Sequence, residues 1–168
     1  PLDKPKFGAT LRLSSLGLHQ LDGMAGGAAG PVEGFVGLRL SDNRGHFPYG
    51  DGNGQTRRRM NNDHRRWGIL SKGRLSLGDG QWVTVLFDGM IDDRGEPGSS
   101  QFPNDHARST DNRISGALGW RATDILDGQL QTAITAEGTV RRYDLIDPGS
   151  RYQPGQQNFA MDDQQAGL

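Results

Sequence analysis

The chain has 168 residues, with 19 Lys or Arg against 20 Asp or Glu and a formal net charge of -1, so it lacks the excess positive charge of a nucleic-acid-binding domain. It holds no Cys, which excludes disulfide scaffolds, thiolate zinc sites and Cys nucleophiles, and no run reaches the ~18 apolar residues of a spanning helix. Gly, at 26 residues, stands at about twice its usual share, and only 33% of residues are hydrophobic. That is little with which to fill a two-sided core. Three Trp, six Phe and clear alternation argue against disorder. A sheet with one apolar and one water-facing side reconciles these facts.

The ordered signal along the chain has period two. Phe7, Ala9, Leu11 and Leu13 alternate with Gly8, Thr10, Arg12 and Ser14, as in a strand with one wet face. A tight turn is expected at 14–17, then a Gly-rich return strand over about 18–28, then a turn at Gly30-Pro31. A strand over about 33–41 places Val36, Leu38 and Leu40 opposite Gly37, Arg39 and Ser41. A long polar stretch, 42–66, carries Gly-rich turn chemistry and five arginines, Arg57, Arg58, Arg59, Arg65 and Arg66.

Alternation resumes at Trp67, with Ile69, Gly73, Leu75 and Leu77 on one parity. Gly78-Asp79-Gly80 signals a hairpin. Val83, Val85, Phe87 and Ile91 then alternate with Trp82, Thr84, Asp88 and Met90. A second polar stretch runs over 92–112. Ile114, Gly116, Leu118 and Trp120 follow on one parity, and a short turn is expected at 124–128. The next segment also fits helical spacing, but Thr132, Thr135, Thr139 and Val140 favour a strand. A third polar stretch covers 144–157.

Connection length is the stronger clue. After the first turn, each short connection of about two to five residues is followed by a long one of about fifteen to twenty-five. In an up-and-down antiparallel meander, alternate connections lie at opposite ends, so all long loops gather at one end. That asymmetry belongs to outer-membrane barrels. Strands of about nine to eleven residues cross a bilayer at a ~45° tilt. The apolar parity then faces lipid, and the polar parity, with Arg12, Arg39, Lys72, Arg74, Arg121 and Glu137, faces the lumen. Trp67, Trp82, Trp120 and Tyr143 fall at strand ends, where aromatic girdles lie. The fold expected is therefore all-β: an antiparallel up-and-down meander spanning 1–168, forming about 7–8 strands of a larger transmembrane β-barrel.

Together these features resemble the TonB-dependent outer-membrane receptors. The residues that carry the resemblance are the early hairpin, the return strand ending in Gly30-Pro31, the rise into Ser41-Asp42-Asn43-Arg44-Gly45-His46-Phe47-Pro48-Tyr49, and a loop closing in Arg57-Arg58-Arg59-Met60-Asn61-Asn62-Asp63. The likeness covers about 7–143 and corresponds to the first barrel strands after a plug domain. It implies a 22-stranded barrel in the bacterial outer membrane, importing a scarce ligand: an iron chelate, cobalamin or a glycan. It implies outer-membrane lipid as surroundings, and TonB as a partner reached through a plug domain absent from this chain. The chain opens Pro1-Leu2-Asp3-Lys4, without Met or an apolar leader, and both ends read as cuts inside a longer protein.

The candidate ligand-binding residues are His46, Phe47, Tyr49, Asp51 and Asn53, in the first long loop. Aromatic rings bury ligand surface and polar tips orient it. Asp51-Gly52-Asn53-Gly54 resembles half a calcium loop but lacks the closing Glu. Asp42, Asp51, Asp92 and Asp93 would have to converge for loop calcium, so no cofactor and no metal is expected. The loop arginines suit lipopolysaccharide phosphates at an outer rim or a plain solvated charge cluster. His19, His46, His64 and His106 are scattered, with no H-E-x-x-H or G-x-S-x-G pattern, and no catalytic residues are assigned. The alternative to a receptor fragment is a soluble all-β module binding carbohydrate or another ligand, with the apolar parity buried between two sheets.

Overall fold

A computed structural model of the chain describes residues 4–15, 17–50, 53–78, 80–97, 104, 106–125, 130–148 and 158–167. Among these the strands are β1 (Lys6–Leu13), β2 (Leu18–Ala29), β3 (Val32–Asn43), β4 (Pro48–Gly50), β5 (Thr56–Arg58), β6 (His64–Gly78), β7 (Gln81–Gly95), β8 (Arg108–Ile125), β9 (Leu130–Ile146) and β10 (Asn158–Gly167). Eight form one sheet in the order β1-β2-β3-β6-β7-β8-β9-β10, and β4 and β5 form a separate hairpin. Every pairing is antiparallel, and each main-sheet strand pairs with its sequential neighbour once the hairpin is set aside. The chain is an all-β meander. The sheet is open, with β1 and β10 each paired on one side only.

The registers carry the alternation from β1 to β9. Leu21 opposes Leu40, Leu40 opposes Trp67, and Trp67 opposes Ile91. Farther along, Val85 opposes Leu118, which opposes Ala136. Residues opposed across neighbouring strands point to the same side, so these rows make one apolar face. The other face carries Asp22, Arg39, Gly68 and Met90 in one row and Glu33, Arg74 and Thr84 in another.

Among the described residues, nothing covers the apolar face. Phe7 is 82% exposed, Trp67 58%, Ile114 60% and Ile134 60%. The buried apolar residues among those described are Ala107 and Ala122. The accessible surface is 11966 Å², whereas a compact soluble protein of 18.3 kDa exposes about 8,000 Å². The sheet is a single layer, held by its ladders and lateral neighbours.

Strand ends lie at the two expected edges. The strand ends at Leu13, Leu18, Asn43, His64, Gly95, Arg108, Ile146 and Asn158 share one edge, and those at Ala29, Val32, Gly78, Gln81, Ile125 and Leu130 share the other. Ser14 N–H donates to Leu18 O at 3.0 Å, and Arg44 N–H to Gly17 O at 3.2 Å, which fixes the first turn beside the first long connection. At the short-turn edge Gly80 takes φ of 69°, a conformation that other residues adopt with strain.

Several expectations need correction. The central strands run 12–18 residues, beyond the nine to eleven expected. Polar residues extend them: β3 reaches Asn43, β6 starts at His64, β7 continues to Gly95, and β9 to Ile146. The polar stretches 42–66, 92–112 and 144–157 therefore shrink, the first also containing the β4–β5 hairpin. Asp92 and Asp93 lie in β7 and not in a loop. Trp82 opposes Arg121, and Tyr143 opposes Asp111, so both stand on the polar face; Trp67 and Trp120 alone of the four girdle candidates are on the apolar face. β10 inverts the pattern: Phe159 and Met161 take the polar side, while Gln164 lies opposite Val140 on the apolar side. Asp79 and most of the turn expected at 124–128 lie outside the described residues.

Candidate functional site

The long-loop edge carries a connected polar rim. Its centre is Asn61, 8% exposed, with φ of 53°. Its amide nitrogen donates to three carbonyls of the next long connection: Ala107 O at 2.7 Å, Asn104 O at 3.0 Å and Glu96 O at 3.3 Å. Asn104 extends the tie. Its side-chain oxygen accepts from Ala107 N–H at 2.9 Å and His106 N–H at 3.0 Å, and its amide donates to Asp147 at 2.9 Å. The residues just outside β6, β8 and β9 are thus joined by side-chain bonds.

Arg108 forms a second tie. Its guanidinium donates to both oxygens of Asp63 at 3.0 and 3.2 Å and to Asp93 at 2.6 Å. That hydrogen bonding holds the Asp63 carboxyl below its ordinary pKa, against the opposing effect of partial burial. Beneath this rim, on the polar face, Asp92 is 4% exposed. Arg66 donates to its Oδ2 at 2.8 Å, and His64 Nε2 lies 2.5 Å from its Oδ1 without hydrogen-bond geometry. Beside them Ser109 Oγ donates to Glu96 at 2.7 Å and accepts from Arg94 at 3.1 Å.

Lower on the polar face, cross-strand ion pairs recur: Arg39 with Asp22 at 2.6 Å, Arg113 with Asp88 at 2.9 Å, and Arg141 with Asp111 at 2.6 Å. Each joins neighbouring strands, the geometry in which opposite charges support a sheet.

Of the expected ligand-binding residues, the structure gathers part. Phe47 O accepts from Arg59 N–H at 2.9 Å, and the Arg59 guanidinium sits 5.8 Å from the centre of the Tyr49 ring. Phe47 and Tyr49 are half-buried; His46 and Asn53 are exposed. Asp51 lies outside the described residues. The calcium grouping does not assemble among the described residues. Asp42 and Asp93 flank Arg65 on one face, while Asp92 points to the other. The loop arginines are engaged as well, Arg65 with Asp42 at 3.6 Å and Arg66 with Asp92.

Sequence patterning did not single out Asn61, Arg108 or Ser109. Period-two reading ranks residues by hydropathy, and these act through hydrogen bonds at strand ends. The one available cue was Asn61-Asn62-Asp63, since Asn and Asp are the side chains most at ease with positive φ. Set beside known proteins, the chain matches no family model, no curated protein and no solved structure.

Proposed function

We propose that this chain is part of the barrel wall of a TonB-dependent receptor in the bacterial outer membrane, importing an iron chelate, cobalamin or a glycan. The observation that carries this reading is the eight-stranded meander whose apolar face is continuous and exposed. Monomeric soluble proteins rarely leave apolar patches beyond a few hundred Å² uncovered, and this face runs from β1 to β9. Lipid is the cover that suits a single-layer antiparallel sheet with long loops at one edge and short turns at the other. A soluble binding module would bury the same residues between two sheets; Val85, Leu118 and Ile134 are instead exposed. The tied rim and the half-buried Phe47 and Tyr49 would then face the cell exterior, where a ligand arrives.

The test uses the absence of Cys from these 168 residues, any cysteine elsewhere in the protein being changed to Ser. Single cysteines are placed at Asn53 and Pro31 in the full-length protein of its host, and intact cells are treated with a membrane-impermeant maleimide. Asn53→Cys is expected to react on intact cells, and Pro31→Cys only after lysis, with the protein in the outer-membrane fraction. Recovery in the soluble fraction, or equal labelling at both sites, sinks the membrane reading. Import is tested separately, by uptake of labelled iron chelate, cobalamin and oligosaccharide in a strain lacking the gene. Unchanged uptake of all three sinks the transport reading.

A further inference from the structure

On strands β3 and β6–β9, nearly every polar-face arginine has an acidic partner: Arg39 with Asp22, Arg66 with Asp92, Arg74 with Glu33, Arg94 with Glu96, Arg113 with Asp88 and Arg141 with Asp111. The matching fails at the short-turn end. There Lys72 and Arg121 have no acidic partner within ion-pair distance among the described residues, and both are exposed. The register sets Arg121 directly beside one ring and Lys72 two polar-face rows from it, and both line the same hollow. Trp82 opposes Arg121 across β7 and β8, and Lys72 lies one row from Arg74 on β6. The Arg74 guanidinium covers the Trp82 ring at 4.5 Å, and that of Arg121 approaches it to 5.9 Å. Three cations thus share a small area with one carboxylate, Glu33, which is already bonded to Arg74 at 3.2 Å.

Gathering like charges in this way is unfavourable unless an anion joins them. The place is also concave. Glu33, Phe35, Lys72, Arg74, Trp82 and Arg121 line a cavity of about 520 Å³, and Lys72, Trp82 and Arg121 also line an adjoining one of about 370 Å³. These volumes suit a small organic molecule and exceed the needs of a lone inorganic oxyanion. Arg74 is held in place by Trp82 and Glu33, so it needs little further ordering to present its donors. Phe35 and Trp82 supply apolar wall.

We propose that this end of the polar face binds a small organic polyanion with a planar body, in chemical class an aromatic di- or tricarboxylate. Arg121 and Lys72 take its carboxylates, Arg74 steers it, and the two aromatic side chains bury its ring. The inference rests on the sheet geometry alone and not on the membrane reading.

The full-length protein of its host is held in a nonionic detergent, which covers the apolar face whatever covers it natively. Every tryptophan but Trp82 is replaced by Phe, and its emission is followed as benzene-1,2,4-tricarboxylate is added. A saturable change is expected. Arg121→Gln and Lys72→Gln, tested independently for retained strand content by circular dichroism, are each expected to weaken binding at least tenfold. Arg113→Gln, a paired cation elsewhere on the face, is expected to stay within twofold. Absence of a saturable change overturns the proposal, as does equal weakening by Arg113→Gln. Inorganic phosphate competing as well as the tricarboxylate overturns the planar-body assignment. Binding of hexaglutamate in place of the tricarboxylate shows a seat for an acidic segment and overturns the small-molecule assignment.

Discussion

Asn61 shows how one side chain can order a loop edge that has no apolar core beneath it. Three carbonyls of 96–107 converge on its amide nitrogen, and its backbone sits at positive φ. Asn61→Ala removes the donor and also strains the left-handed backbone. The expected local loss is about 2 kcal/mol, read as a roughly 30-fold fall in hydrogen-exchange protection at Glu96 N–H, which bonds to Ala107 O. Asn61→Gly relieves the strain and loses only the hydrogen bonds, so its loss should be the smaller of the two. An equal loss in both variants would show that backbone conformation plays no part.

The same rim has a pH dependence with a definite sign. The Arg108 guanidinium lowers the Asp63 pKa below its ordinary value of 3.8, so the folded rim prefers the carboxylate. The contribution of Asp63 is complete above the unfolded pKa and is lost as pH falls through the lower, folded one. Exchange protection at Gly95 N–H, which donates to Asp63 O, should hold from neutral pH down to about 4 and drop below it. Asp63→Asn should remove that step. A step centred near pH 6 would assign the titration to a histidine instead.

At the scale of the strand, the apolar parity is the property most open to test. Arg placed at Val85, Leu118 or Ile134 puts charge on the apolar face, costing about 2–4 kcal/mol near a bilayer midplane, and should block membrane assembly of the intact protein. Arg placed at Ser115 or Thr135 joins a face that already holds Arg113 and Arg121, and should be tolerated. Assembly yield in the outer-membrane fraction measures both, and like behaviour of the two sets would refute the face assignment.

The positions and faces of β1–β3 and β6–β9 were legible in the sequence because alternation is a direct projection of the pleat, whereas β10, which inverts it, was not. Strand ends were not. His64, Arg65 and Arg66 read as loop by hydropathy, yet they continue β6 because each finds a partner on β3 or β7, as in Arg65 with Asp42 and Arg66 with Asp92. The β4–β5 hairpin was hidden for a related reason: three-residue strands are too short to show a period. Phe47 and Tyr49 were singled out from residue type alone, whereas the Asn61 tie was not, because three carbonyls from a distant connection leave no local trace.

On the proposed membrane reading, the sheet has the height a bilayer requires. From Trp67 to Leu77 the apolar parity of β6 covers about ten residue steps, which at ~3.4 Å each and a tilt of ~40° give a band about 25 Å tall. Trp67 lies toward the long-loop edge of that band and Trp120 toward the short-turn edge, while Trp82 stands on the opposite face. The three tryptophans therefore report the cover of each face separately. In vesicles with brominated acyl chains, proteins retaining only Trp67 or only Trp120 should be quenched. A protein retaining only Trp82 should keep its emission with brominated lipid and lose it with aqueous acrylamide. A soluble module would give the reverse contrast, with Trp67 and Trp120 shielded from both quenchers by a second sheet. The open edges sharpen the experiment: β1 and β10 offer unpaired backbone groups that hydrocarbon does not satisfy. Pairing of those edges by further strands, as the proposed barrel requires, should sharpen the separation of the three signals.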